Sequence, residues 1–384
     1  MSILEIFREV YRQDPDCIAR APGRIEVLGN HTDYNKGMVL SAAVGFHTEF
    51  AVKKNRESRF TIYDAKFKEK VDFSTDELEL SNPGHWENYF KGLVREFSSC
   101  GVDIPAFSAC LLSSVPSGGG MSSSAALLLS AALALNYLFA GSAFSDEEIV
   151  LLTQKVENSF LGLNSGLLDQ TTSMFGKKNN LLLCDFSSNK VETYLSIPDE
   201  FIFLAADSGV KHKLVDSEYN FLRKSCDEAV KLIRKEFPKA ECLRDVSKSM
   251  LLDCRKKLPP VLFRKAEHVI DEIERVREAA DLLKNRKISL FGKLMYKSHE
   301  SSRYLFENSC PELDLLVELS QSIPDCLGAR LSGGGFGGIT IHLIRKENAS
   351  LYAERLKTAF ESMTGRNLKV YECSIGAGAG LIAD

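Results

Sequence analysis

A two-domain chain of mixed strand and helix is what this sequence predicts, on three observations. Its 384 residues exceed the roughly 250 to 300 at which a single hydrophobic core stops growing. Its first third alternates apolar and polar residues, whereas its second half repeats apolar residues three and four apart, the periods of strands and of amphipathic helices. Inside the first half, Val115 to Phe139 reads VPSGGGMSSSAALLLSAALALNYLF, a glycine–serine loop running into an apolar helix.

Taken in order, Ile3, Ile6, Phe7 and Val10 share one face of a helix over Ile3 to Tyr11, which Asp14-Pro15 ends. Ile25 to Leu28 and Met38 to Val44 are short strand-like runs, and the GNHTDYNKG between them is a loop dense in polar chemistry. Alternation continues at His47 to Val52, Phe60 to Tyr63 and Lys70 to Phe73, followed by a helix over Trp86 to Phe97. A strand over Phe107 to Leu112 leads into the glycine–serine loop, making a strand–loop–helix unit. Helices are expected at Asp146 to Phe160 and Gly166 to Phe175, strands at Leu181 to Phe186 and Phe201 to Ala206, and a domain boundary near Asn180, giving domains 1–180 and 181–384. Beyond it, Val215 to Phe237, Val261 to Leu283 and Ile288 to Phe306 are amphipathic helices, with shorter ones at 310–322 and 348–363. There is no internal repeat and no low-complexity tract.

Composition excludes several classes of function. A net charge of −4 shows no basic excess of the kind a nucleic-acid surface requires. No apolar run reaches the roughly 18 to 20 residues of a membrane span, and Met1 to Phe7 is too short and too charged for a signal peptide. A cytoplasmic protein with neither nucleic-acid nor membrane partners is expected. The ten cysteines are scattered singly, without a CxxC pair or zinc spacing, so they read as reduced and mostly buried thiols.

The glycine–serine stretch carries the chemistry. Glycines let a ligand approach the main chain, serines offer helix caps and hydroxyl ligands, and the first turn of the helix offers free N–H groups at the positive end of its dipole. It reads as a phosphate-binding loop, against the plainer alternative of a turn before a buried helix. It is not a Walker A loop, because no lysine lies between Val115 and Phe139. A second glycine cluster, GARLSGGGFGG at Gly328 to Gly338, satisfies GxGxxG through Gly333, Gly335 and Gly338. The dinucleotide fingerprint must open a helix, and Ile339 to Ile344 instead reads as a strand, so a strand–glycine loop–strand at a ligand's edge is expected.

PGRIEVLGNHTDYNKGMVL, PSGGGMSSSAA and GARLSGGGFGG resemble, in order and spacing, the three signature motifs of the GHMP small-molecule kinases, and the first is close to that of galactokinases. HWENYFKG, ENSFLGLNSGLLDQ and DSGVKHKLVDSEY are similar to galactokinase sequence as well, so the resemblance spans essentially the whole chain. It implies an α+β fold of two domains with the active site in the cleft between them, ATP and Mg²⁺ as cofactors, a small sugar as partner, and a monomer or weak dimer. The implied reaction is phosphorylation of the anomeric hydroxyl of galactose.

The resemblance also implies site residues, and phosphoryl transfer explains their types: charge on the phosphate oxygens must be neutralised and a hydroxyl aligned with the γ-phosphoryl group. Asp169 corresponds to the catalytic aspartate and Arg24 to the arginine beside it. Gly118, Gly119, Gly120, Ser122, Ser123 and Ser124 form the ATP loop, with Trp86 on the adenine side, and Ser124 and Glu157 would ligate the metal. Asn30, His31, Asp33, Gly166, Asp169 and Tyr219 would surround the sugar. Three positions depart from the pattern: Asn30 where galactokinases have glutamate, Ser41 where proline is usual, and Gly334 where alanine is common. Position 30 lies toward C6 of the sugar, so an amide there predicts tolerance of an oxidised or deoxygenated C6. The alternatives are the same chemistry on another galacto-configured sugar such as galacturonate, or a non-catalytic sugar and ATP sensor. The sensor predicts lesions in the catalytic pair or serine loop, whereas Arg24, Asp169 and Ser122 to Ser124 are intact.

Overall fold

The computed structural model describes residues 1–382 apart from 83, 117–119 and 211–214, and no side chains at 215–217. Helix α1 (Ile3–Tyr11) opens on a reciprocal cap between Ser2 and Glu5, which satisfies two of the N–H groups that a helix start leaves free. It leads into strands β1 (Cys17–Leu28), β2 (Met38–Lys54), β3 (Arg59–Asp64) and β4 (Glu69–Ser74), then α2 (Glu87–Ser99) and β5 (Phe107–Ser113). β1 is one continuous strand beginning eight residues before Ile25, and β2 runs through both of the segments that the alternation separated. The strand β2 branches: Thr48 to Lys54 pairs with β5, and Met38 to Ser41 pairs with β6 (Asn180–Asp185). β6 in turn carries β7 (Lys190–Ser196), whose exposed, charged outer face gave no apolar alternation to read. The eight strands order as β12-β1-β2-β5-β3-β4 with the β6–β7 pair beside β2, where β12 is Gly380–Leu381.

Three helices form the layer beside this sheet near the site. α3 (Ser123–Phe139) lies against β1 and β2, and α4 (Asp146–Lys155) and α5 (Leu168–Phe175) lie against α3. α3 is apolar around most of its circumference, with eleven residues buried from Ala125 to Asn136, as a helix inside a core must be. The expected helix to Phe160 instead leaves α-geometry at Val156 and ends in a π-helical turn, Val156–Phe160.

A second sheet takes β8 (Phe201–Asp207) at its centre, followed in the chain by α6 (Val215–Ile233), α7 (Lys248–Asp253), α8 (Pro260–Lys284), α9 (Ile288–Ser301) and α10 (Pro311–Ser322). β9 (Cys326–Ser332), β10 (Ile339–Arg345), α11 (Ala349–Thr364) and β11 (Lys369–Cys373) complete the order β11-β8-β10-β9. The loop between β9 and β10 is the glycine-rich Gly333 to Gly338, strand to strand as its sequence predicts. Gly335 has φ +84, and a Cβ there would lie 2.0 Å from the Asn308 carbonyl oxygen, so no other residue fits. α9, like α4, ends in a π-helical turn, Ser302–Phe306. Each π turn bonds to a residue that lines one cavity, Glu157 to Ser165 and Ser302 to Asn30, and such turns are often found near functional sites.

Candidate active site

A cavity of about 380 Å³ is lined by Arg24, Glu26, Asn30, His31 and Asp33 from β1 and the loop after it, by Gly120 and Ser122 to Ser124, by Gly166 and Asp169, and by Tyr219, Gly333 and Gly334. The volume suits a small ligand, and the walls come from both halves of the chain.

At one end Arg24 donates from Nε to Asp169 Oδ1 at 2.8 Å and from Nη1 to the Gly120 carbonyl at 2.6 Å. The guanidinium thus ties the serine loop to α5. Ser122 Oγ donates to the other oxygen, Asp169 Oδ2. Ser122 holds the N-cap position of α3 with φ 54, and its side chain makes no cap hydrogen bond. The expected serine cap is therefore absent there, because the hydroxyl is turned to Asp169, and the first turn of α3 keeps its N–H groups free of that side chain.

The loop after β1 is closed by its own side chains. Thr32 Oγ1 donates to Gly29 and Met38 carbonyls at 2.9 and 2.7 Å, and Asn35 Nδ2 to the His31 carbonyl at 2.9 Å. This holds Asp33 against Gly166, where a Cβ would fall 1.6 Å from Asp33 Oδ2; only glycine leaves room for that carboxylate. Burial pushes Asp33 up to about 6, with the charges of Glu26 and Asp169 adding to the rise against the Tyr34 and Leu168 backbone N–H groups. His31 has both ring nitrogens occupied, Nε2 at 3.1 Å from the Gly334 carbonyl and Nδ1 at 3.0 Å from the Tyr34 hydroxyl. A carbonyl only accepts, so Nε2 carries the proton and Nδ1 accepts from Tyr34. Burial holds the ring neutral, lowering its pKa to about 3. His31 therefore lines the cavity as a packed ring, 5.1 Å centre to centre from Tyr219, with no nitrogen left for a ligand. Gly334 faces Tyr219 at 3.5 Å from a would-be Cβ, an ordinary contact, so alanine fits there equally well.

Asn30 also differs from expectation. Its amide nitrogen donates to Glu26 Oε1 at 2.9 Å and to the Gly333 carbonyl at 2.8 Å, and its oxygen accepts from Asn308 at 2.9 Å and Ser302 at 3.3 Å. All of its hydrogen-bonding capacity goes to protein. The carboxylate at this end is Glu26, 3% exposed and paired with Arg330 at 3.0 Å. Burial raises its pKa, opposed by Arg330 and Arg24. Sequence reasoning passed over it, although a glutamate in the middle of the apolar run RIEVL was the available signal. A second buried carboxylate, Glu272 of α8, accepts from the Gly29 N–H at 2.9 Å and from Ser298 at 2.7 Å. Burial alone would raise it, but Arg275 and Arg330 outweigh burial and hold it at about 2.

Glu157 sits on the first π turn, 4% exposed, and accepts on Oε2 from Ser165 and Gln170, each at 2.7 Å. Burial raises its pKa, and so does the charge of Asp169, while Ser165, Gln170 and Ser124 act against both. It lies behind the cavity wall, joined to it through Ser124 and Ser165. Trp86 is not part of the wall; it precedes α2, donates to Glu69 at 2.9 Å and meets Phe90 edge-on at 5.8 Å. Gly118 and Gly119 lie outside the described residues. Ser41 is buried on β2 and bonded to Thr172 at 2.7 Å.

The galactokinase galactose-binding signature matches residues 5–54, the GHMP kinase N-terminal domain 88–177 and the GHMP kinase C-terminal domain 279–362. The galactokinase of Roseiflexus sp. (strain RS-1) is 34% identical over 380 residues, covering 99% of this chain and 96% of that protein. That of Chloroflexus aggregans is 35% identical over 383 residues, covering 99% and 97%. Among solved structures, Lactococcus lactis galactokinase complexed with galactose superposes with a TM-score of 0.92 at 28% identity, covering 98% of each chain. Methanococcus jannaschii mevalonate kinase shares the fold at a TM-score of 0.63 and 18% identity, covering 94% of this chain and 98% of that one. The chain belongs to the GHMP kinases, within their galactokinase family, and has their α+β fold.

Proposed function

We propose that this chain transfers the γ-phosphoryl group of ATP to the anomeric hydroxyl of galactose, giving galactose 1-phosphate and ADP. The observation that carries the reading is Asp169, held on one oxygen by Arg24 and on the other by Ser122, in the wall of a sugar-sized cavity. Asp169 takes the proton of the anomeric hydroxyl and orients it for in-line attack. Arg24, anchored on Gly120, offsets charge developing on the transferring group. The N-terminus of α3 with Ser122 to Ser124, preceded by Gly118 to Gly120, cradles the phosphates, and Trp86 lies on the adenine side. Asp33 accepts from two vicinal sugar hydroxyls, an arrangement an epimer leaves unpaired. Gly166 makes space for that carboxylate, and Tyr219 packs the sugar face.

Ser124 and Glu157 suit Mg²⁺. Glu157 is a buried carboxylate whose hydrogen-bond partners are the uncharged Ser165 and Gln170, so a cation relieves the burial that raises its pKa. Magnesium takes few protein oxygens and supplies Lewis-acid neutralisation of the phosphate oxygens. All ten cysteines are free thiols, which fits a reducing cytoplasm. Galacturonate is disfavoured, since Glu26, Asp33 and Asp169 give the cavity three carboxylates. The test is ADP release over a panel of galactose, glucose, galacturonate and mevalonate. Turnover is expected with galactose alone at high efficiency; turnover only with a non-galacto substrate overturns the reading.

A further inference from the structure

The carboxylate missing at position 30 has a counterpart next door. Arg24, Ile25 and Glu26 pair in regular register with Ala43, Ala42 and Ser41 of β2, so Arg24 and Glu26 project from the same face of β1. Two residues of strand separate them by about 6.6 Å, comparable to the size of a pyranose ring. Arg24 marks the phosphoryl end through its pairing with Asp169. Glu26 lines the cavity beyond Arg24 and is bonded to Asn30, at the position that the family resemblance sets toward C6 of the sugar. Both of its hydrogen bonds, from Asn30 and Arg330, fall on Oε1, and Oε2 has none among the described residues. Asn30 in turn is fixed by Gly333, Ser302 and Asn308. Arg330, fully buried, reaches the Glu26 carbonyl at 3.2 Å as well.

We propose that Glu26 is the specificity-determining contact for the sugar's 6-hydroxyl, accepting its hydrogen bond on Oε2, and that Asn30 is the positioning residue that aims it. The exchange moves the family's carboxylate from position 30 across a 2.9 Å hydrogen bond to the strand. This rests on the galactose reading above. It also reverses what an amide at position 30 suggests by itself: C6 is read by an acceptor-only carboxylate, so a C6 lacking a donor, or bearing a negative charge, is rejected.

The first arm alters the substrate, so folding is not at issue: kcat/KM of the wild-type enzyme for galactose, 6-deoxygalactose and 6-deoxy-6-fluorogalactose. Fluorine can accept but not donate, so both analogues should fall together by about 10- to 100-fold. The second arm repeats the comparison in Glu26→Gln. Galactose should lose most of its advantage over 6-deoxygalactose, chiefly through KM, whereas a purely structural role for Glu26 lowers all three substrates alike and overturns the proposal. In the third arm Asn30→Glu sets two carboxylates in contact and should lose thermal stability, and Glu26→Gln/Asn30→Glu should regain both stability and the preference for galactose. Wild-type indifference to the 6-hydroxyl also overturns the proposal. Failure of the galactose reading is distinct, since wild type would then turn over none of the three sugars.

Discussion

Burial decides the behaviour of Asp33. Its carboxyl is pushed up to about 6 by desolvation and by the neighbouring carboxylates, above the ordinary range for aspartate of about 4. A sugar donating two hydroxyls needs the ionised form, present above that value and lost as pH falls through it. Galactose affinity, measured by calorimetry without nucleotide, should therefore drop toward tenfold per pH unit below about 6, and Asp33→Asn should bind weakly with no such dependence. A wild-type affinity flat across pH 6 contradicts that assignment. The identities of Arg24, Asp33 and Asp169 were legible in the sequence because motif residues fix them one by one. The distant partners of Asn30 and His31 were not, since Gly333, Gly334, Ser302 and Asn308 lie some three hundred residues away, and no local pattern encodes such contacts.

Elements with a strong period were readable and those shaped by the site were not. α8 and α11 follow the three-four spacing almost to their ends, whereas α4 and α9 leave α-geometry at Val156 and Ser302. Each π turn sets a polar side chain behind the cavity wall, Glu157 bonded to Ser165 and Ser302 to Asn30, so local helix periodicity yields to placement there. β1 was read short because its first half alternates weakly before the buried run from Ala21 to Leu28. Two predictions belong to this scale. Replacing Glu157 or Ser124 by alanine should raise the Mg²⁺ concentration for half-maximal rate by about tenfold or more; unchanged Mg²⁺ dependence in both removes them from the metal site. Gly166→Ala, at the start of the α5 segment, puts a methyl on Asp33 Oδ2. The galactose KM should rise more than about tenfold with the ATP KM and the melting temperature little changed, and an unaltered galactose KM shows that Asp33 does not depend on that space.

At the scale of the whole molecule, the cavity draws walls from β1, the α3 and α5 starts, α6 and the β9–β10 loop. The buried Glu26–Arg330 pair, at 3.0 Å, ties β1 to β9, and the Asp185–Arg244 pair, at 2.7 Å, ties β6 to the segment between α6 and α7. The order of the three motifs pointed to a site built from both halves of the chain, while the branching of β2 to β6 and the return of β12 to β1 lay beyond any reading of local pattern. Galactose binding to such a shared cavity should stabilise the protein as a unit. At about one hundred times its dissociation constant the gain is about 2.7 kcal/mol, seen in calorimetry as one transition moved upward; a shift of only one of two separate transitions would contradict it. The most direct measurement is on Asp169→Asn, nearly isosteric and still able to accept from Arg24 through its oxygen and to donate to the Ser122 hydroxyl through its amide nitrogen. Single-turnover phosphorylation of galactose should fall by about 10² to 10⁴, with galactose affinity within a few-fold of wild type. A variant that binds galactose normally and keeps more than about a tenth of the wild-type rate would contradict the role of Asp169 in phosphoryl transfer.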